Sequence, residues 1–377
     1  VSDNTILADE RVIDMDDVIA YLDPEVSQFT TMLQQVASKD AYNSKVEWLE
    51  DELFPRLSAV VTGGNSSATT IVVTTGQGVY FRAGDLVRDA QTGECIKVSS
   101  VATDTLTITR GIGAVAAAAI ATADQLVIIG NASQQGAGLG TRLVTKRVMQ
   151  FNYCQIQRNP YGFTNTLRAS KLYGGPEPDK ERRKKAIEHK RAIELALFFG
   201  ARGLDTTGTN PVGYSGGAVE FISTNVKDAG QAALTKANMD SYLKDILQHG
   251  SANKVAFVAP TVAMQLSAFL RDAWQPITTD MRLFGAKVDA WISGAYGYRL
   301  PVVVKRDWND FSTASKQYGG FAFILDMDYV KLRPLRNTQL LRDRQSNDSD
   351  SYDEEYLTEY TLEFQHERAH GLIKGVA

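Results

Sequence analysis

TRLVTKRVMQFNYCQIQ, residues Thr141–Gln157, and DKERRKKAIEHKRAIELALFFGARG, residues Asp179–Gly203, decide the reading of this chain. The first stretch is rich in β-formers but carries charge on both faces. In an extended chain Leu143, Met149, Phe151 and Tyr153 share one side with Arg147, while Val144, Val148, Cys154 and Ile156 share the other with Arg142 and Lys146. Upstream, KVEWLEDEL (Lys45–Leu53) begins with the same alternation, Val46 and Trp48 opposite Lys45 and Glu47. The two segments are expected to pair as an antiparallel ribbon. Such a ribbon is marginal in water by itself and its open edges invite other chains. The reading is therefore assembly, not catalysis, with Glu47, Trp48, Arg147, Phe151 and Tyr153 as candidate intersubunit contacts.

The second stretch predicts a long helix. Asp179 and Glu181 sit at its start, Glu181 precedes Lys185 by one turn, and Gly200 and Gly203 supply the stop. At about 1.5 Å per residue it would span roughly 30 to 36 Å. Its first half is polar nearly all round, and its second half, Ile193–Phe199, is apolar nearly all round. Arg182, Arg183, Lys184 and Lys185, with Lys190 and Arg191, are interleaved with Asp179, Glu181, Glu188 and Glu194. That mixture reads as a solvated or intersubunit face in preference to a DNA grip, and the first four join the candidate contacts.

Composition bounds the rest. A chain of 377 residues, 44% hydrophobic and 22% charged, can form two or three modules with real cores. No apolar run approaches the roughly 20 residues needed to span a bilayer, and VSDNTILADE lacks the regions of a signal peptide. The expected site of synthesis is the cytoplasm. Cys95 and Cys154 have no metal-type spacing and read as reduced thiols. A net charge of −4 argues against a dedicated nucleic-acid binder. Val1 in place of Met admits initiator removal or loss of a longer N-terminal piece.

Elsewhere, Asp23-Pro24-Glu25 reads as a helix start, with a helix to Ala37. From Ala59 to Asn131 short runs rich in Thr, Val and Ile, separated by Gly63-Gly64-Asn65, Gly84-Asp85 and Gly93, predict a small all-β barrel or sandwich. The remainder predicts an α+β module: a helix capped by Thr235, a strand Lys254–Ala259, a helix Pro260–Trp274, and strands Tyr298–Lys305, Phe321–Asp326 and Tyr329–Arg333. A polar loop QSNDSDSYDEE (Gln345–Glu355), a strand Tyr356–Arg368 and a short apolar tail after Gly371 close the chain.

His366-Glu367-Arg368-Ala369-His370 is a literal HExxH. Zinc chemistry would need both histidines on one helical face and a third ligand, with an open position for water. Tyr356, Tyr360, Leu362 and Phe364 alternate with Glu359, Glu363 and Gln365 as in a strand, and a third ligand would have to come from His189 or His249. The histidines are read as strand residues. Asp348, Asp350 and Glu359 fit a calcium-loop register, but Asp353 stands where glycine is required. Gly136, Gly138 and Gly140 lack the lysine of a phosphate loop and read as a hinge. No catalytic residue, metal ligand or cofactor is assigned.

In this order, the segments KVEWLEDEL, FRAGDLV, ECIKVSSV, TLTITRGIG (ending at Gly113), IIGNASQQG (Ile128–Gly136) and EYTLEFQHERAHGLIKGV resemble the tailed-bacteriophage major capsid proteins of the Hong Kong 97 fold. The branch resembled carries a β-rich insertion in the extended loop. The likeness implies an α+β fold with an N-terminal arm (1–44), an extended-loop ribbon (45–57 and 132–157) and an inserted β-barrel (58–131). A peripheral domain (158–203 and 312–377, spine helix 179–202) and an axial domain (204–311) complete it. It further implies a structural protein of the virion that self-assembles as hexamers and pentamers into an icosahedral shell around double-stranded DNA. The DNA would be contacted non-specifically, with portal, scaffold or decoration proteins as partners and no membrane. A nanocompartment (encapsulin-like) shell is the alternative of the same fold, and a zinc-dependent hydrolase using residues 366–370 the alternative of another class. No Lys, Asn and Glu set for covalent cross-linking is matched by motif.

Overall fold

In the computed structural model two units form, one from residues up to 48 and from 150 onward, the other from residues 49–149. The structure describes residues 28–36, 38–136, 138, 140, 142–170, 177–270, 282–283, 286–287, 289–292, 299–311 and 318–377.

The smaller unit is built on a closed six-stranded barrel. Going round it, Leu57–Thr62 pairs with Thr70–Val73, then come Thr105–Thr109, Cys95–Ala102, Asp85–Asp89 and Gln125–Asn131, which returns to the first. Of barrel and sandwich, closure is the observed solution, and it leaves no free edge. Alternate residues point inward, so Val60, Ile71, Val73, Val87, Ile96, Val98, Leu106, Ile108 and Leu126 make one small core with Phe81 and Ile120. One charge lies under its surface. Glu94 is fully buried, accepts Arg110 Nε and Nη2 at 2.8 and 2.6 Å, and takes the backbone N–H groups of Gly111 and Ala118 at 3.0 and 3.1 Å. These bonds hold the segment from Gly111 to Ala118 against the barrel. The Arg110 guanidinium holds the Glu94 carboxyl down at about 2.

The larger unit has a six-stranded mixed sheet in the order Val226–Ala232, Gly371–Val376, Ala322–Asp326, Lys254–Val258, Arg299–Val304, Asp289–Ile292. Its inner strands are buried on both faces, hence the continuous apolar runs KVAFV and AFILD. Successive residues serve different cores. Ala256, Val258, Ile324 and Ile373 join the cluster of the helices Lys236–Ile246 and Pro260–Leu270. Val255, Phe257, Phe323, Leu325 and Leu372 join the cluster of the long helix and the N-terminal helix Gln28–Val36.

A second sheet is antiparallel and three-stranded: Val330–Leu341, the long Ser351–Phe364, and Gln155–Thr164. The long helix, Glu177–Phe199, shares a core with its central strand through Ile193, Leu197, Tyr360 and Leu362. Both edge strands contain a proline, Pro160 and Pro334, tolerated because an edge position does not call on the missing N–H. Lys45–Glu50 and Val148–Tyr153 form the expected two-stranded ribbon.

Several expectations are corrected. The loop predicted to run to Glu355 becomes strand from Ser351, because Tyr352, Glu354 and Tyr356 meet Phe163, Tyr161 and Asn159 across the ladder. That strand stops at Phe364 instead of Arg368, since His366 turns into the left-handed region (φ 52°) and a 3-10 turn, Glu367–Ala369, follows. The supposed apolar tail is the inner strand Gly371–Val376, parallel to Val226–Ala232 and antiparallel to Ala322–Asp326. Strands from 322–326 and 371–376 thus enter one sheet with strands of the 204–311 segment, so the sheet crosses the boundary drawn at 311. Of the expected arm, Arg142–Arg147 is not strand, and the regular pairing runs on through Thr164. The N-terminal helix is described over Gln28–Val36, and residues 24–27 and 37 of the expected one lie outside the described residues, as do 271–274 of the helix from Pro260.

Candidate functional site: the ribbon and the long helix

At the ribbon root, alternation buries Val46 and Trp48 with Ala41 and Cys154. Trp48 is only 7% exposed, and its ring lies 6.0 Å from Phe221. As a candidate intersubunit contact it is therefore corrected: it is enclosed in its own chain. Phe151 is also engaged internally. Lys45 Nζ stands 4.5 Å and the Arg202 guanidinium 4.6 Å from the Phe151 ring centre, and Arg202 Nη1 donates to the Phe151 carbonyl at 3.0 Å. Arg202 also lies 5.5 Å over Phe221, which stacks on Phe364 at 5.5 Å, and Phe364 meets His370 at 4.1 Å. A column of two cations and four rings thus runs from the ribbon into the core. Tyr153 sits edge-on to Phe151 at 5.5 Å, and Glu47 pairs with Lys45 at 2.5 Å.

The side chain that fixes the root is one the sequence did not single out. Asn152 is fully buried, donates to Gly216 O and Leu362 O at 3.0 and 2.8 Å, and accepts Gly216 N at 2.9 Å. An asparagine at the polar face of an amphipathic strand carries no signal of burial, because its partners are distant in sequence. Cys154 is a free thiol pushed up to about 11 by burial, and Cys95 is free as well.

In the other unit the chain carries exposed aliphatic side chains, Leu49, Val148 and Met149 on the two strands and Leu53 (94% exposed) and Val144 (81%) on the irregular segments that adjoin them. Arg147 meets Asp51 at 3.9 Å with both side chains open to solvent, a contact worth little.

On the long helix the four candidate cations divide. Arg182 grips the buried Glu354 in a fork, Nε to Oε2 at 2.7 Å and Nη2 to Oε1 at 2.6 Å, and reaches Asp179 at 3.0 Å. Tyr161 donates its hydroxyl to the same carboxylate. Burial pushes the Glu354 carboxyl up, but the Arg182 and Tyr161 hydrogen bonds outweigh it and the net shift is downward. Arg182 therefore docks the helix on its own sheet. Lys185 is half-buried against Glu188 at 2.6 Å. Lys184, 3.7 Å from Glu181, and Arg183 are the exposed members.

The HExxH residues do not converge. His370 is completely buried; its Nδ1 accepts the Asp326 N–H at 3.0 Å and its Nε2–H donates to Gln365 O at 3.0 Å. Both nitrogens are occupied and the ring is neutral, its pKa lowered by burial to about 3. Glu367 instead accepts the backbone N–H groups of Ser223 and Thr224, each at 3.0 Å. His189, the possible third ligand, is buried between Asn159 Oδ1 (2.6 Å) and Thr358 Oγ1 (2.7 Å). In the calcium register Glu359 pairs with Arg336 at 2.6 Å and Asp350 accepts Asn165 Nδ2 at 2.6 Å. Among the described residues no three His, Cys, Asp or Glu side chains gather to hold a metal. Nor, among them, is any helix long and apolar enough to cross a membrane.

A mixed α/β body with a long helix on an extended antiparallel sheet, and a ribbon bearing exposed aliphatics, defines the class of tailed-phage capsid subunits of the Hong Kong 97 type. The fold is similar to the capsid of an empty GTA particle (TM-score 0.51, 12% identity, 100% of this chain and 98% of that one). It is similar also to a chain of Mycobacterium phage Bobi (TM-score 0.51, 9% identity, 97% and 96%). The family model described as SU10 major capsid protein matches residues 2–377, and the chain belongs to that family. A major capsid protein of Pseudomonas phage PaMx41 is 26% identical over 288 residues, 73% of this chain and 67% of that protein. The protein is a phage major capsid protein, a structural component of the virion.

Proposed function

We propose that this capsid protein closes an icosahedral shell of hexamers and pentamers around double-stranded DNA, with the outer half of its ribbon as the principal contact to a second copy. The observation that carries this is the exposure of Leu49, Leu53, Val144, Val148 and Met149 along the outer ribbon strands and the segments that adjoin them; aliphatics in such a setting are covered by a partner. Glu47, Tyr153, Arg147, Arg183 and Lys184 are further candidate contacts in this reading, while Trp48, Phe151, Arg182 and Lys185 serve within one chain. In the same reading 45–57 and 132–157 form an extended loop, the barrel is its insertion, the long helix is the spine, and the six-stranded sheet belongs to the axial domain. The protein works without catalysis, and portal, scaffold or decoration proteins are its further partners.

Electron microscopy and light scattering of the purified chain test this. The unchanged protein should form hexamers, pentamers or shells; Leu53→Asp with Val144→Asp should melt at the unchanged temperature and remain unassembled. Shells formed by that variant as readily as by the parent would overturn the assignment of the contact.

A further inference from the structure

The N-terminal helix Gln28–Val36 meets the body through an apolar face and one polar socket. The Phe29 and Thr30 N–H groups donate to the two carboxylate oxygens of Glu194 at 3.0 and 3.2 Å, and the Thr30 hydroxyl donates at 3.0 Å. From the end of the strand Arg299–Val304, Lys305 Nζ closes on Glu194 Oε1, with Asp307 Oδ1 3.8 Å away from the same ammonium. Glu194 and Lys305 are both enclosed. Beyond the helix, Lys39 N donates to Leu332 O at 3.0 Å and Ala41 N to Pro334 O at 2.8 Å, a short parallel addition along the edge of the second sheet. Ala41 already packs with Val46, Trp48 and Cys154 at the ribbon root. The helix, this strap and the first ribbon strand are therefore one run of chain whose position is set at Glu194.

Apolar contact alone defines that position poorly. Phe29, Met32 and Leu33 are all fully buried, and a slide of one helical turn, about 5.4 Å, would bring Leu33 to the place of Phe29. Cores accept exchanges among large apolar side chains, and Met adapts readily. The slide cannot keep the socket, because the Leu33 and Gln34 N–H groups that would arrive there are spent inside the helix and Gln34 lacks the Thr30 hydroxyl, so Glu194 would lose the three donors that the helix supplies. A buried ion pair adds little net stability over an apolar pair of equal size, since desolvation offsets the attraction. Its effect here lies in register.

We propose that Glu194 and Lys305 form a polar register latch: they admit one docked position of residues 28–36 and 38–41 and thereby fix where the ribbon strand beginning at Lys45 leaves the body. The consequence for shells rests on the assembly reading above; the consequence for docking does not.

Amide hydrogen exchange of residues 28–36, thermal melting and electron microscopy should be applied to full-length Glu194→Met, Lys305→Met and the double variant. Each single variant strands a buried partner and should melt lower. The double variant should melt above either single variant, yet lose about ten- to hundred-fold of the exchange protection at Phe29 and Thr30 and give shells of mixed size. A double variant with parental protection would overturn the latch. If the parent itself formed no shell, the assembly reading would fail while the exchange result still decided the latch.

Discussion

Asn152 and Gly216 exchange two hydrogen bonds, Gly216 N to Asn152 Oδ1 at 2.9 Å and Asn152 Nδ2 to Gly216 O at 3.0 Å, so that a side-chain amide pairs with a backbone as a neighbouring strand would. The ribbon root is tied in this way to the loop before the short helix Ala218–Phe221. Asn152→Ala should lower stability by about 2–3 kcal/mol, the cost of leaving buried donors and acceptors unmet. Asn152→Asp should be worse, because a carboxylate would face the Gly216 and Leu362 carbonyls. Urea denaturation of the two variants checks the order.

The Arg182–Glu354 fork ties the polar half of the long helix to its sheet. Removing one partner of a buried pair costs about 3–5 kcal/mol; the partial exposure of Arg182 places Arg182→Met below that range, at about 2 kcal/mol. Glu354→Leu in the same chain should recover most of the loss. Denaturant midpoints of the single and double variants measure the coupling.

Acid should weaken the larger unit in a defined window. His370 has a pKa of about 3 in the fold against about 6.5 when unfolded. Between those values the unfolded chain binds the extra proton. Stability is thus undiminished above pH about 6.5 and falls as pH drops toward 3, by up to about 1.4 kcal/mol per unit. In His370→Gln the slope between pH 6 and 4 should be shallower in urea titrations.

The barrel should respond at lower pH. The Glu94 carboxyl is held at about 2 in the fold, from an ordinary value of 4.5, so its contribution is present above pH 4.5 and is lost as pH falls toward 2. Arg110→Met should make the barrel labile already near neutrality. Exchange of the amides of Gly111 and Ala118, which donate to Glu94, reports this without needing global unfolding.

Periodicity carried much of the fold. The ribbon strands, the helix over Asp179–Phe199 and the barrel strands were legible because period 2 and period 3.6 are written in neighbouring residues. The resemblance to the capsid family rested on segments spread along the whole chain, and the family match over residues 2–377 agrees with it. The candidate contacts were less legible. Trp48 and Phe151 look like residues for a neighbour until Phe221 and Arg202 are seen beside them, and Arg182 looks like its exposed neighbours Arg183 and Lys184 until Glu354 is found beneath it.

The sequence by itself thus determined most of the helices and strands, the pairing of the ribbon and which family the chain belongs to, since these depend on local pattern and on order along the chain. Only the tertiary structure decided that Gly371–Val376 is an inner strand, that His370 is neutral and fully used, and that Asn152, Glu194 and Lys305 are the polar residues locked inside. Each of those outcomes depends on at least one partner far along the chain, from 44 positions for His370 with Asp326 to 210 for Asn152 with Leu362, and a hydrogen bond or ion pair is defined by where its partner lies in space, which no local periodicity records.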